Sequence, residues 1–97
     1  MSKKYTIKLD KKLPFYEWID TDKEVIVLEF NNKIEVIESI CPHYGGKLQV
    51  NQNNPNELIC PFHGLKFDIT NCTSSNNIFK KIRKYKVISN KPFVVEG

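Results

Sequence analysis

No apolar run in the sequence is longer than Val25-Ile26-Val27-Leu28, far short of the ~20 residues a membrane-spanning helix needs. The chain starts Met1-Ser2-Lys3-Lys4-Tyr5 and continues polar, without the apolar stretch of a secretory signal, so the cytoplasm is the expected compartment and no membrane partner is expected. Four glycines and five prolines in 97 residues, beside 11% aromatic content, exclude a collagen-like or disordered chain. Internal repeats and low-complexity tracts are absent. There are only two histidines and three cysteines. An odd cysteine count without a secretion signal argues against a disulfide framework and makes metal ligation by thiolates the reading to test. No Ser/His/Asp set and no phosphate-binding loop is present, so no catalytic site is expected.

What remains is one small domain. At 97 residues and 40% hydrophobic content a single modest core is feasible, and a bound metal would add usefully to its stability. The net charge of +4 is segregated: residues 1–12 carry +4, residues 13–79 carry −5, and residues 80–97 carry +5. Basic ends could suggest nucleic acid. However, Lys8 to Lys12 and Lys80 to Lys86 alternate with Ile, Leu, Val and Tyr, the pattern of a solvated strand face, and no nucleic-acid partner is expected.

Strand signals dominate the chain. Lys4 to Leu9 alternates with period two, and Glu24 to Phe30 and Lys33 to Ser39 are β-branched runs around Asn31-Asn32, a pair that tolerates the positive φ of a tight hairpin. Leu48 to Asn51, Glu57 to Cys60 and Gly64 to Ile69 read as short strands, the first two joined by the polar turn 51–56. Ile82 to Ser89 and Phe93 to Glu96 follow, joined near Asn90-Lys91-Pro92. Pro14 to Ile19, with proline at a plausible first helical position, reads as a helical turn. Trp18, Phe15 and Tyr16 are expected to pack in the core or cover a hairpin.

Both histidines and two of the three cysteines sit in two short segments, Cys41-Pro42-His43 and Cys60-Pro61-Phe62-His63. Each segment offers one thiolate and one imidazole, and glycine follows closely at Gly45-Gly46 and at Gly64, where the backbone can approach a compact inorganic group. The same four donors could hold a structural zinc in an interaction module, although zinc modules more often place a Cys pair first and a His pair last.

Cys41-Pro42-His43-Tyr44-Gly45-Gly46-Lys47-Leu48 and Cys60-Pro61-Phe62-His63-Gly64-Leu65-Lys66-Phe67-Asp68 resemble the two cluster loops of the Rieske family. The resemblance implies one Rieske-type 2Fe-2S cluster, with Cys41 and Cys60 on one iron and His43 and His63 on the other. It also implies an all-β fold: an antiparallel sandwich or barrel base from residues 1–40 and 73–97, with a cluster-binding subdomain, 41–72, inserted between. The family members with a membrane anchor carry a further cysteine in each loop; here Gly46 and Phe62 stand there, so no bridge ties the loops. Leu65 and Phe67 replace the hydroxyl side chains that hydrogen-bond sulfur in high-potential members. Fewer such bonds disfavour the more negative reduced state, which places the potential toward the low end of the ~−150 to +300 mV range.

The function implied is that of a one-electron carrier, not an enzyme, passing electrons from a reductase to a terminal enzyme such as a ring-hydroxylating oxygenase. A monomer is expected. The alternative is a Rieske small subunit of a larger reductase such as nitrite reductase. Tyr44, Lys47, Phe62, Leu65 and Lys66, on the two loops, are expected to form the rim that docks redox partners, apolar at its centre and cationic at its edge. Cys72 reads as a spare reduced thiol, with Asn71 supplying a left-handed turn beside it.

Overall fold

The computed structural model describes residues 3–41, 46–61, 64–74 and 81–97. Among them are nine β-strands and no helix. The chain forms two compact units, residues 1–38 with 83–97, and residues 39–82. Residues 73–82, given to the base in the sequence reading, thus belong to the inserted unit. There Thr73 bridges to Lys81 and the Ile82 N–H donates to the Cys72 carbonyl (2.9 Å).

In the first unit, β1 (Lys4–Thr6), β2 (Phe15–Asp20), β3 (Lys23–Phe30), β4 (Lys33–Glu38), β8 (Lys84–Asn90) and β9 (Phe93–Glu96) make one antiparallel sheet in the order β1-β9-β8-β4-β3-β2. The β3–β4 hairpin turns at Asn31 (φ 53°) and Asn32 (φ 64°), the left-handed pair that the right-handed twist of the flanking strands requires. The basic ends meet in this sheet, with Lys4 opposite Glu96 and Lys86 also paired to Glu96. Ile7, Phe15, Val25, Val27, Val36, Tyr85, Phe93 and Val95 form its core. Ile26, Leu28 and Ile37 are buried as well, so the central strands are shielded on both faces.

The segment read as a helical turn is the strand β2, paired through Phe15 to Val27 and Trp18 to Glu24. Proline at its start was the only helical signal. Phe15, Tyr16, Trp18 and Ile19 are residues that suit a pleated surface, and pairing with β3 buries Phe15 in the core. Trp18 does not pack there: it faces outward, 60% exposed on the sheet's edge strand. β1 stops at Thr6, although the Ile7 N–H still donates to the Phe93 carbonyl (2.9 Å) and carries Ile7 into the core.

The second unit is built on β5 (Gln49–Val50), β6 (Glu57–Ile59) and β7 (Lys66–Asp68), paired antiparallel in that order. Asparagines organise the β5–β6 turn. The Asn51 Oδ1 accepts from the Asn53 N–H (3.0 Å), the Asn54 Oδ1 accepts from the Asn56 N–H (3.2 Å), and the Asn51 N–H donates to the Glu57 carbonyl (2.9 Å). Leu48, Leu58, Leu65, Phe67, Ile69 and Ile82 are buried in it, with three buried thiols, Cys41, Cys60 and Cys72.

Candidate metal centre

The two Cys-His segments occupy matching places. In the first, Ile40 pairs with Lys47 and the Cys41 N–H donates to the Gly46 carbonyl (2.7 Å). In the second, Ile59 pairs with Lys66 and the Cys60 N–H donates to the Leu65 carbonyl (2.8 Å). Each cysteine therefore follows the last paired residue of one arm, and its amide closes a tip of four residues, 42–45 or 61–64. Gly64, at φ 64°, gives the second tip the left-handed turn that a larger side chain would strain. The first tip is braced further by the Leu48 N–H on the Ser39 carbonyl (2.7 Å), and Ser39 is fully buried. Sequence reasoning missed Ser39, whose part is played by its main chain.

The second loop returns through a turn anchored by Asp68. Its Oδ1 accepts from the Thr70 N–H (2.7 Å) and the Asn71 N–H (3.2 Å), while its carbonyl accepts from the Cys72 N–H (2.7 Å). The left-handed residue is Cys72 (φ 59°), not Asn71 as the sequence suggested. The helix-like bonds back to Asp68 run through Asn71, and the reversal falls one residue later. The buried Cys72 Sγ donates to the Ile69 carbonyl (3.9 Å).

Neither Cys41 nor Cys60 is in a disulfide, and they are 1% and 0% exposed. His43 and His63 lie outside the described residues, as do Tyr44 and Phe62 of the expected docking rim. Among the described residues no three Cys, His, Asp or Glu side chains converge on a metal-sized space. Of the remaining rim residues, Lys47 is exposed and Lys66 half-buried. Leu65 is largely buried, 9% exposed.

The donor set fits an iron–sulfur group: two buried thiols follow corresponding paired residues, Ile40 and Ile59, and one histidine comes shortly after each in the sequence. These features define a β protein built for metal ligation by mixed Cys/His loops. The chain belongs to the Rieske [2Fe-2S] domain family, whose sequence pattern matches residues 5–86. Its cofactor is accordingly one 2Fe-2S cluster and its role electron transfer, which sets aside the structural-zinc reading.

Among solved structures, the chain is similar to the ferredoxin of carbazole 1,9a-dioxygenase from Nocardioides aromaticivorans IC177 at 20% identity and TM-score 0.69, over 96% of this chain and 94% of that one. In the reduced complex between oxygenase and ferredoxin of carbazole 1,9a-dioxygenase, it matches a chain at 16% identity and TM-score 0.69, covering 96% of itself and only 27% of that chain. It is also similar to a protein described as an NADH-dependent nitrite reductase small subunit from Mycobacterium tuberculosis, at 10% identity and TM-score 0.68, over 100% of this chain and 96% of that one. No curated protein matches the sequence. No helix among the described residues is long and apolar enough to cross a membrane.

Proposed function

We propose that this protein is a freely diffusing cytoplasmic electron carrier that takes one electron from a reductase and delivers it to a terminal oxygenase. The observation that carries this reading is the pair of matching amide bonds, Cys41 to Gly46 and Cys60 to Leu65, in a chain that covers 94% of the ferredoxin of carbazole 1,9a-dioxygenase. Cys41 and Cys60 are assigned to one iron and His43 and His63 to the other. When bound, the cluster supplies reversible one-electron chemistry at a potential raised by neutral imidazoles in place of thiolates. The chain's own residues hold the two loops: the Cys41 and Cys60 amides close the tips, and burial keeps the thiols from water. Lys47 and Lys66 place positive charge at the ends of the loops, where an acidic surface of a partner would be steered. Residues 39–82 serve as the cluster-binding unit.

A second reading, a permanently held small subunit of a reductase, is favoured by the full-length match to the nitrite reductase small subunit. Gel filtration of the protein from its native cell extract separates the two. A carrier elutes alone, at the mass of a single chain, and is reduced in a single n = 1 step by a reductase added in catalytic amount. Co-elution with a large flavin- or haem-bearing chain that persists at high salt would overturn the carrier reading.

A further inference from the structure

The ladder between β4 and β8 stops early. Val36 pairs with Tyr85 and Ile37 with Lys84, and the same register would pair Ile34 with Val87. That pair does not form. β8 has an irregular register against β9 between Val87 and Ser89, and such a bulge bends a strand away from its neighbour. The two hairpins therefore part beyond Val36 and Tyr85, and a groove of about 630 Å³ opens between them within the first unit.

Three properties of this groove point to one kind of occupant. Among the described residues its borders, Lys33 to Glu35 on β4 and Lys86 to Asn90 on β8, are strand edges with no strand opposite, where main-chain N–H and C=O groups are open to a further strand. Its lining includes the apolar side chains of Ile34, Val87 and Phe93, all of which belong to or pack on the core. Its charge is unbalanced: Glu35 is paired with Lys84, whereas the exposed Lys33 and Lys86 form no ion pair among the described residues. A small anion would use the lysines alone, and an apolar ligand only the lining.

We infer that this groove binds an extended acidic segment of a protein partner, which adds to the open edge of β4 or β8 as a short strand. Alternate side chains of such a segment point to opposite sides, so carboxylates reach Lys33 and Lys86 while the intervening apolar residues lie toward Ile34, Val87 and Phe93. The open edge of β4 is three residues long, about 10 Å, which pairs with the central three residues of a five-residue segment.

The test uses the cluster-loaded full chain and the peptide acetyl-Glu-Val-Glu-Val-Glu-amide, followed by amide NMR and hydrogen exchange. The expected result is saturable binding that slows exchange at the Ile34 or Val87 amide. Lys33→Glu with Lys86→Glu, both at exposed positions, weakens binding about tenfold or more, and N-methylation of the central peptide bonds weakens it similarly. Unchanged iron content and far-UV dichroism in the double variant show that the fold is intact. Failure of the acidic peptide to bind would overturn the inference and leave Lys33 and Lys86 as guards against edge pairing. It would equally be overturned if the N-methylated peptide, or benzoate, bound as well as the parent, because the groove would then take anions without strand addition.

Discussion

Cys41, Cys60 and Cys72 are all buried and none is in a disulfide, so burial alone does not pick out the two proposed ligands. Position is what supports the proposed assignment. Cys41 and Cys60 each close a tip that carries a histidine, whereas Cys72 sits in the left-handed place of a turn and donates its thiol to Ile69. Cys41→Ser or Cys60→Ser should therefore bring iron and acid-labile sulfide well below two each per chain, while Cys72→Ser leaves both assays unchanged. Tyrosines set a different limit. Burial, then the nearby Glu24 carboxylate, raises the Tyr16 pKa above its ordinary 10.0, and burial does the same for Tyr85. A raised folded-state pKa means that the native chain holds the phenol proton more tightly than the unfolded one. The resulting stability is complete below pH 10 and is lost as pH rises through the folded-state values. Thermal unfolding followed by far-UV dichroism should show the melting temperature falling above about pH 10, with a shallower fall in Tyr16→Phe.

At the scale of elements, turn chemistry was the most legible part of the sequence. Asn31-Asn32 announced the β3–β4 hairpin because few residues other than Asn and Gly take positive φ at both positions, and the φ values of 53° and 64° agree. Asn32→Val should destabilise the fold by about 1–2 kcal/mol, read as a lower melting temperature, because a β-branched side chain is strained in that conformation. Less legible was β2, since six residues opened by a proline hold too little periodicity to decide between a helical turn and an edge strand; the pairing partner decides it. The Asp68 turn was half legible. Asp68 and Asn71 advertise a turn, but which residue reverses depends on the bond from the Cys72 amide to the Asp68 carbonyl, a feature of the folded main chain. Asp68→Ala removes the acceptor of two amides and should cost about 1–2 kcal/mol in chemical denaturation, with the iron content of the folded protein retained.

Across the whole molecule, the family and its cofactor were readable from two short segments because metal ligation demands particular residue types at particular spacings. At the proposed docking rim a loop residue reads as exposed by default, yet Leu65 is 9% exposed. The sequence also gave no hint of the groove between β4 and β8, which depends on where a ladder ends rather than on any motif. At this scale the absence of hydroxyl side chains at Leu65 and Phe67 predicts a reduction potential near the low end of the ~−150 to +300 mV Rieske range, measurable by protein-film voltammetry. The most direct test of the central claim is pulsed EPR on the dithionite-reduced protein purified without air, with iron and sulfide assayed on the same sample. Two irons, two sulfides and strong couplings to two imidazole nitrogens, with the signal abolished in His43→Ala and in His63→Ala, are the predicted result. A colourless sample holding one zinc, or a cluster signal without nitrogen couplings, would contradict it.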